Sequence, residues 1–163
     1  MLRLVLDTNV VLDLYHWANS DAAPIMAALA GGHVACLADT GTLDELQRVL
    51  TYPQLNLTPE MAANLYRRYS GLVHLVPNGE TPPLPRCEDR DDQKFLELAA
   101  RAGADWLVSK DSALLKLRRR PNLGFRILEP ADASALIQPG NRGWTPPLVR
   151  LGGCLARSDN AAG

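Results

Sequence analysis

The stretch Leu4-Val5-Leu6-Asp7-Thr8-Asn9-Val10 decides the fold. An apolar run of strand-forming residues meets a carboxylate, a hydroxyl and an amide, and a second apolar pattern follows at once. That order describes a buried strand passing directly into a helix, with Asp7 at the junction. In a parallel α/β sheet, ligands sit outside the carboxyl ends of strands. A carboxylate placed there costs desolvation free energy unless a partner offsets it. No such partner lies within the stretch itself.

Working outward, Leu2–Leu6 is the first strand, and Thr8 or Asn9 caps a helix with Val10, Val11, Leu14, Tyr15 and Ala18 at helical spacing. Pro24 opens a second helix, which Gly31-Gly32 closes. His33–Ala38 is the second strand. Thr40 or Thr42 caps the next helix, which runs to Leu50, and Thr42 with Glu45 matches the spacing of a capping box. Thr58-Pro59-Glu60 starts a helix that ends near Ser70-Gly71, and Leu72–Val76 is the third strand. A loop rich in Pro and Gly follows, from Pro77 to Glu88. Asp89-Arg90-Asp91-Asp92 opens a helix to Ala102, Asp105–Ser109 is the fourth strand, and Ser112–Leu117 is a short helix. Gly124–Leu128 is the fifth strand and Pro130–Ile137 the last helix. Strands alternating with helices predict an α/β domain with a mainly parallel sheet over residues 1–137. Residues 138–163 read as an irregular tail with one apolar patch, Leu148–Leu155.

The 163 residues suffice for one domain with a real core. No apolar run approaches the ~20 residues that span a bilayer. Leu2–Leu6 is too short for a secretory leader, and Asp7 interrupts it. Cys36, Cys87 and Cys154 are odd in number and widely spaced, which argues against a disulfide framework or a zinc site and for a reducing cytoplasm. Behind the net charge of −1 stand 14 Arg against 3 Lys. Arg suits bidentate contact with phosphate, although a GC-rich genome produces the same bias.

Four acids share a placement. Asp7 follows strand one and Asp111 follows strand four. Glu45 lies early in the helix after strand two. Asp92 lies three residues before Phe95 and seven before Ala99, so it points with the apolar stripe. In a doubly wound sheet all four fall at one edge. Each has a plain alternative: a helix cap for Asp7 and Asp111, the third position of a capping box for Glu45, a dipole partner for Asp92. Taken together, four carboxylates at one edge repel one another, and a hard divalent cation removes that conflict. Oxygen ligands without nearby His or Cys favour Mg²⁺ or Mn²⁺, and such an ion suits phosphoryl chemistry.

These residues carry a resemblance. Leu6-Asp7-Thr8-Asn9-Val10, Leu43-Asp44-Glu45-Leu46, the run from Asp89-Arg90-Asp91-Asp92 to Ala99, and Leu107-Val108-Ser109-Lys110-Asp111 stand in an order and spacing similar to PIN-domain proteins, metal-dependent ribonucleases that include VapC-type toxins. The resemblance covers about Met1 to Leu128. It implies a PIN-like three-layer fold, a central sheet of about five strands flanked by helices. It implies an endoribonuclease hydrolysing RNA to 5′-phosphate and 3′-hydroxyl ends, the toxin of a toxin–antitoxin pair with a cognate antitoxin partner. Asp7, Glu45, Asp92 and Asp111 would be the metal-binding, catalytic carboxylates, with Asn9, Ser109 and Asp91 in support. Relatives often carry a further acid two residues beyond Asp111, where this chain has Ala113, which puts a second metal in doubt. Lys110 is the candidate phosphate contact; Arg118, Arg119 and Arg120 read more simply as a solvated run. A homodimer through a sheet edge or the Leu148–Leu155 patch is a further expectation. The alternatives are a non-catalytic PIN-like module that binds RNA or protein, and a haloacid-dehalogenase-type phosphatase, which needs a second aspartate where Asn9 stands.

Overall fold

The structure, a computed structural model, describes residues 1–137. The expected tail, with Leu148–Leu155, Trp144 and Cys154, lies outside the described residues.

The first strand is the middle of the molecule. β1 (Leu2–Leu6) pairs in parallel with β2 (Val34–Ala38) on one side and β4 (Trp106–Val108) on the other. β3 (His74–Leu75) adds beyond β2, and β5 (Arg126–Leu128) beyond β4. The order is β3-β2-β1-β4-β5, all parallel. A central parallel strand is covered on both faces, which is why β2 throughout and β1 after Arg3 read as continuous apolar runs.

Register sorts the side chains. Val5 sits beside Leu37 and Leu107, and Leu107 beside Ile127, so these four form one row across the sheet. That row packs on α5 (Gln93–Ala102) through Phe95, Leu98 and Ala99, and on α6 (Ser112–Leu115) through Leu114. Leu4, Leu6, Cys36, Trp106 and Val108 face the other way. They pack on α1 (Thr8–Tyr15), α2 (Ala23–Ala30), α3 (Thr40–Val49), α4 (Pro59–Ser70) and α7 (Pro130–Ile137). The result is the expected three layers, with five strands and seven helices among the described residues. Trp106 is buried, and Trp17 is exposed.

Several boundaries differ from expectation, each for a local reason. The box that opens α3 is made by Asp39 and Thr42: Thr42 N–H donates to Asp39 Oδ1 at 2.8 Å, and Asp39 N–H donates to Thr42 Oγ1 at 3.1 Å. Glu45 is thereby free of the capping role that its spacing suggested. α5 begins at Gln93 and not at Asp89, because the Asp89 side chain accepts from Asp91 N–H at 2.8 Å and holds a turn there. α1 stops at Tyr15, short of Ala18, whose φ of 48° is left-handed. The third strand shrinks to two exposed residues at the sheet edge, although Val76 N–H still reaches Ala38 O at 2.7 Å. The helix expected over Ser112–Leu117 is one α turn followed by a 3₁₀ turn, Lys116–Arg119.

The chain runs β1, β2, β3 outward in one direction, then crosses back to place β4 and β5 on the other side of β1. The carboxyl ends of β1 and β4 therefore flank a topological switch point, where doubly wound sheets open a crevice.

Candidate active site at the switch point

Asp7 stands at that switch point, at the end of β1, and is 3% exposed. Its backbone continues the sheet, with N–H donating to Val108 O at 3.0 Å, while its carbonyl accepts from Val10 and Val11 to start α1. The backbone thus heads the helix, and the carboxylate makes no cap bond. Instead Oδ2 accepts from Ser109 Oγ at 2.7 Å. Ser109, fully buried at the end of β4, also accepts from Asp111 N–H at 2.9 Å, so one hydroxyl ties Asp7 to the turn that carries Asp111. Burial raises the Asp7 carboxyl above its ordinary 3.8; the Ser109 hydroxyl and the Asn9 backbone amide work against that rise, and the charges of Glu45 and Asp111 add to it. The Asn9 side chain itself is exposed, so its action on Asp7 runs through the main chain.

Glu45 reaches the same place from α3. Thr8 Oγ1 donates to its Oε1 at 2.9 Å, and Lys94 of α5 forms an ion pair with its Oε2. Asp111 heads α6 and accepts from Ala113 N–H at 2.7 Å, so the capping alternative holds for one of its oxygens.

Asp92 is different. It occupies the cap position of α5 in a helical backbone conformation (φ −84°, ψ −16°) and makes no cap bond. Its Oδ2 is buried and has no hydrogen-bond partner. Burial, then the charges of Asp7, Asp111, Asp89 and Glu45, push its carboxyl up to about 7. The dipole reading of Asp92 therefore leaves a buried oxygen unexplained, and unpartnered buried oxygens are uncommon. The four acids are close enough to act on one another's charge. Among the described residues, no three His, Cys, Asp or Glu side chains stand in an arrangement ready to hold a metal; Glu45 and Asp111 are turned to Lys94 and to the Ala113 amide.

Asp91 is exposed, and its N–H closes the Asp89 turn. The Lys110 ammonium lies 2.7 Å from Asp13 Oδ2 on α1. Arg118, Arg119 and Arg120 are exposed.

Two members of the site went unassigned in the sequence. Lys94 sits two residues after Asp92, in a motif where only the acids drew attention. Asp13, 3% exposed, stands inside the apolar run Val10-Val11-Leu12-Asp13-Leu14. A carboxylate on the buried face of a helix is itself a signal, because it demands a partner.

No curated protein matches the chain. A chain in the crystal structure of VapBC2 from Rickettsia felis bound to a DNA fragment from their promoter is similar in fold: 12% identity, a TM-score of 0.57, and coverage of 78% of this chain and 98% of that one. The family model for the PIN domain matches residues 3–113 and so takes in Asp7, Glu45, Asp92 and Asp111. On that match, together with the switch-point fold, the chain belongs to the PIN-domain family.

Proposed function

We propose that this chain is a metal-dependent endoribonuclease that hydrolyses RNA phosphodiester bonds, with Asp7, Glu45, Asp92 and Asp111 as its catalytic carboxylates and Mg²⁺ or Mn²⁺ as the cofactor. The observation that carries the reading is the buried, unpartnered Oδ2 of Asp92 among three further carboxylates. A basic neighbour would have been the simplest partner for that oxygen. A cation shared by the cluster settles it and the mutual repulsion together. The donor set fits a hard ion, since every candidate ligand is a carboxylate oxygen. When bound, the ion would act as a Lewis acid, lowering the pKa of water and neutralising charge on phosphate.

The chain's own residues then have defined tasks. Ser109 fixes one Asp7 oxygen and the Asp111 turn. Thr8 orients Glu45. Lys94 balances Glu45 and must yield it when a cation arrives. Asp13 holds the Lys110 ammonium beside Asp111, near enough to the cluster to meet a phosphate. Asn9 and Asp91 act around this core, Asn9 through its amide.

The likeness to a VapBC2 structure supports a place in a toxin–antitoxin pair, as the toxin bound by a cognate antitoxin. No helix among the described residues is long and apolar enough to cross a membrane, and a cytoplasmic site of action fits an RNA substrate.

The test is cleavage of structured and unstructured RNA with Mg²⁺, Mn²⁺ or EDTA, run beside Asp7→Asn. Cleavage that needs the metal and disappears in the variant is expected. Equal cleavage by both proteins, or cleavage undiminished in EDTA, would overturn the assignment. Co-purification from the native host with the adjacent genes intact tests the antitoxin, and an absence of partner and of toxicity would remove that part.

A further inference from the structure

Two clefts lie side by side, and each is lined by the residue that follows one of the four acids in sequence. The larger, about 680 Å³, is lined by Arg86, Arg90 and Gln93, the residue after Asp92. The smaller, about 360 Å³, is lined by Arg118, Arg119 and Ser112, the residue after Asp111. They meet at an exposed ion pair: Glu88 lines the first, Lys116 lines the second, and the two are 2.7 Å apart. Cys87 lies in the wall of the larger cleft.

The lining has a clear sign. Five cations, counting Lys116, oppose three carboxylates, Glu88, Glu97 and Glu129, in a chain whose formal net charge is −1. Among the described residues, neither Arg86, Arg90, Arg118 nor Arg119 is engaged in an ion pair. Four guanidinium groups without carboxylate partners are groups suited to bidentate contact with phosphate. The larger wall is also held in place. Gln93 Oε1 accepts from Cys87 N–H at 2.7 Å, and its Nε2 donates to Pro85 O at 3.4 Å, pinning the segment that carries Arg86 to the start of α5. Clefts of these volumes accept a ligand of small-molecule size, hence a nucleotide of a single strand and not a duplex.

We infer that the two clefts form one track for a single RNA strand, with Arg86 and Arg90 gripping phosphates on the Asp92 side and Arg118 and Arg119 on the Asp111 side. This rests on the ribonuclease reading and names how its substrate is held. It also gives the arginine run after Asp111 a role beyond solvation.

The test is fluorescence anisotropy of a labelled single-stranded oligoribonucleotide in EDTA, with the full chain as wild type, as Arg86→Ala/Arg90→Ala and as Arg118→Ala/Arg119→Ala. Each double variant is expected to bind about tenfold more weakly at moderate salt. Each should also lower the slope of log affinity against log salt by about 1.4, roughly 0.7 for each lost phosphate contact on a single strand. A wild-type affinity and slope in either variant would overturn the track, as would equal binding of a duplex of the same sequence. Displacement of the RNA by polyglutamate at equal charge concentration would overturn it in favour of an acidic protein segment. Calorimetric titration of Mn²⁺ separates the two claims. Both arginine variants are expected to bind Mn²⁺ as wild type does; if the wild type binds none, the metal reading fails while the anisotropy still judges the track.

Discussion

Replacing Asp92 by Asn should stabilise the metal-free protein while removing its response to metal. Burial and four neighbouring charges hold the folded carboxyl at about 7, against an ordinary value of 3.8. Between about pH 4 and pH 7 the folded chain therefore binds more protons at this site than the unfolded chain does. Its stability falls as pH rises through that window, and the loss is complete above about pH 7. Fully applied, a rise of that size corresponds to about 4 kcal/mol. Asp92 is only partly buried as a residue, although its Oδ2 is enclosed, and solvent screening reduces the figure to about 1–2 kcal/mol. An uncharged isostere recovers that amount at pH 8, or about 3–6 °C in melting temperature for a domain of this size. The assay is thermal unfolding followed by circular dichroism from pH 4 to pH 8, in EDTA and in Mn²⁺. The advantage of the variant should shrink toward zero on acidification. In Mn²⁺ the order should invert, because ligand binding stabilises only the protein that binds it. Equal melting temperatures at pH 8 in EDTA, or an advantage that grows on acidification, would refute the reasoning.

Three further outcomes follow from the same contacts. Ser109→Ala leaves Asp7 Oδ2 and the Asp111 amide without their shared hydroxyl; a loss of about 1–3 kcal/mol in urea unfolding is expected, together with weaker Mn²⁺ binding, and an unchanged midpoint would contradict it. Lys94→Met removes the ammonium that competes for Glu45, so the Mn²⁺ dissociation constant should fall several-fold in calorimetry, and a rise would show that Lys94 supports the metal. Asp39 both caps α3 and meets Arg101 at 2.6 Å. Asp39→Asn should keep most of the cap and lose the ion pair, whereas Asp39→Ala loses both, about 1 kcal/mol more costly; equal chemical denaturation curves for the two would count against the box.

The order of strands and helices was legible because burial on both faces makes parallel strands read as apolar runs, and Leu4-Val5-Leu6 and Val34–Ala38 do so plainly. That Asp7 and Asp111 come together was legible for a topological reason: acids just past two adjacent parallel strands end up on one edge. What escaped was settled by pairing across space. Thr42 faces both Asp39 and Glu45 at plausible capping distances in sequence, and only the turn after β2 decides for Asp39. Asp89 takes up Asp91 N–H and delays α5 by a competition that propensity does not resolve. Lys94 and Asp13 find their partners 49 and 97 positions away, beyond the reach of any local spacing. Arg86 and Arg90 of the larger cleft belong to the irregular segment before α5, where no periodic pattern exists to orient a side chain.

The central claim is that four carboxylates at the switch point hold one cation. Isothermal titration of Mn²⁺ into the wild-type chain and into Asp7→Asn tests it most directly. Saturable binding by the wild type, weakened at least tenfold in the variant, is predicted. No binding by the wild type, or equal binding by both, would contradict the account.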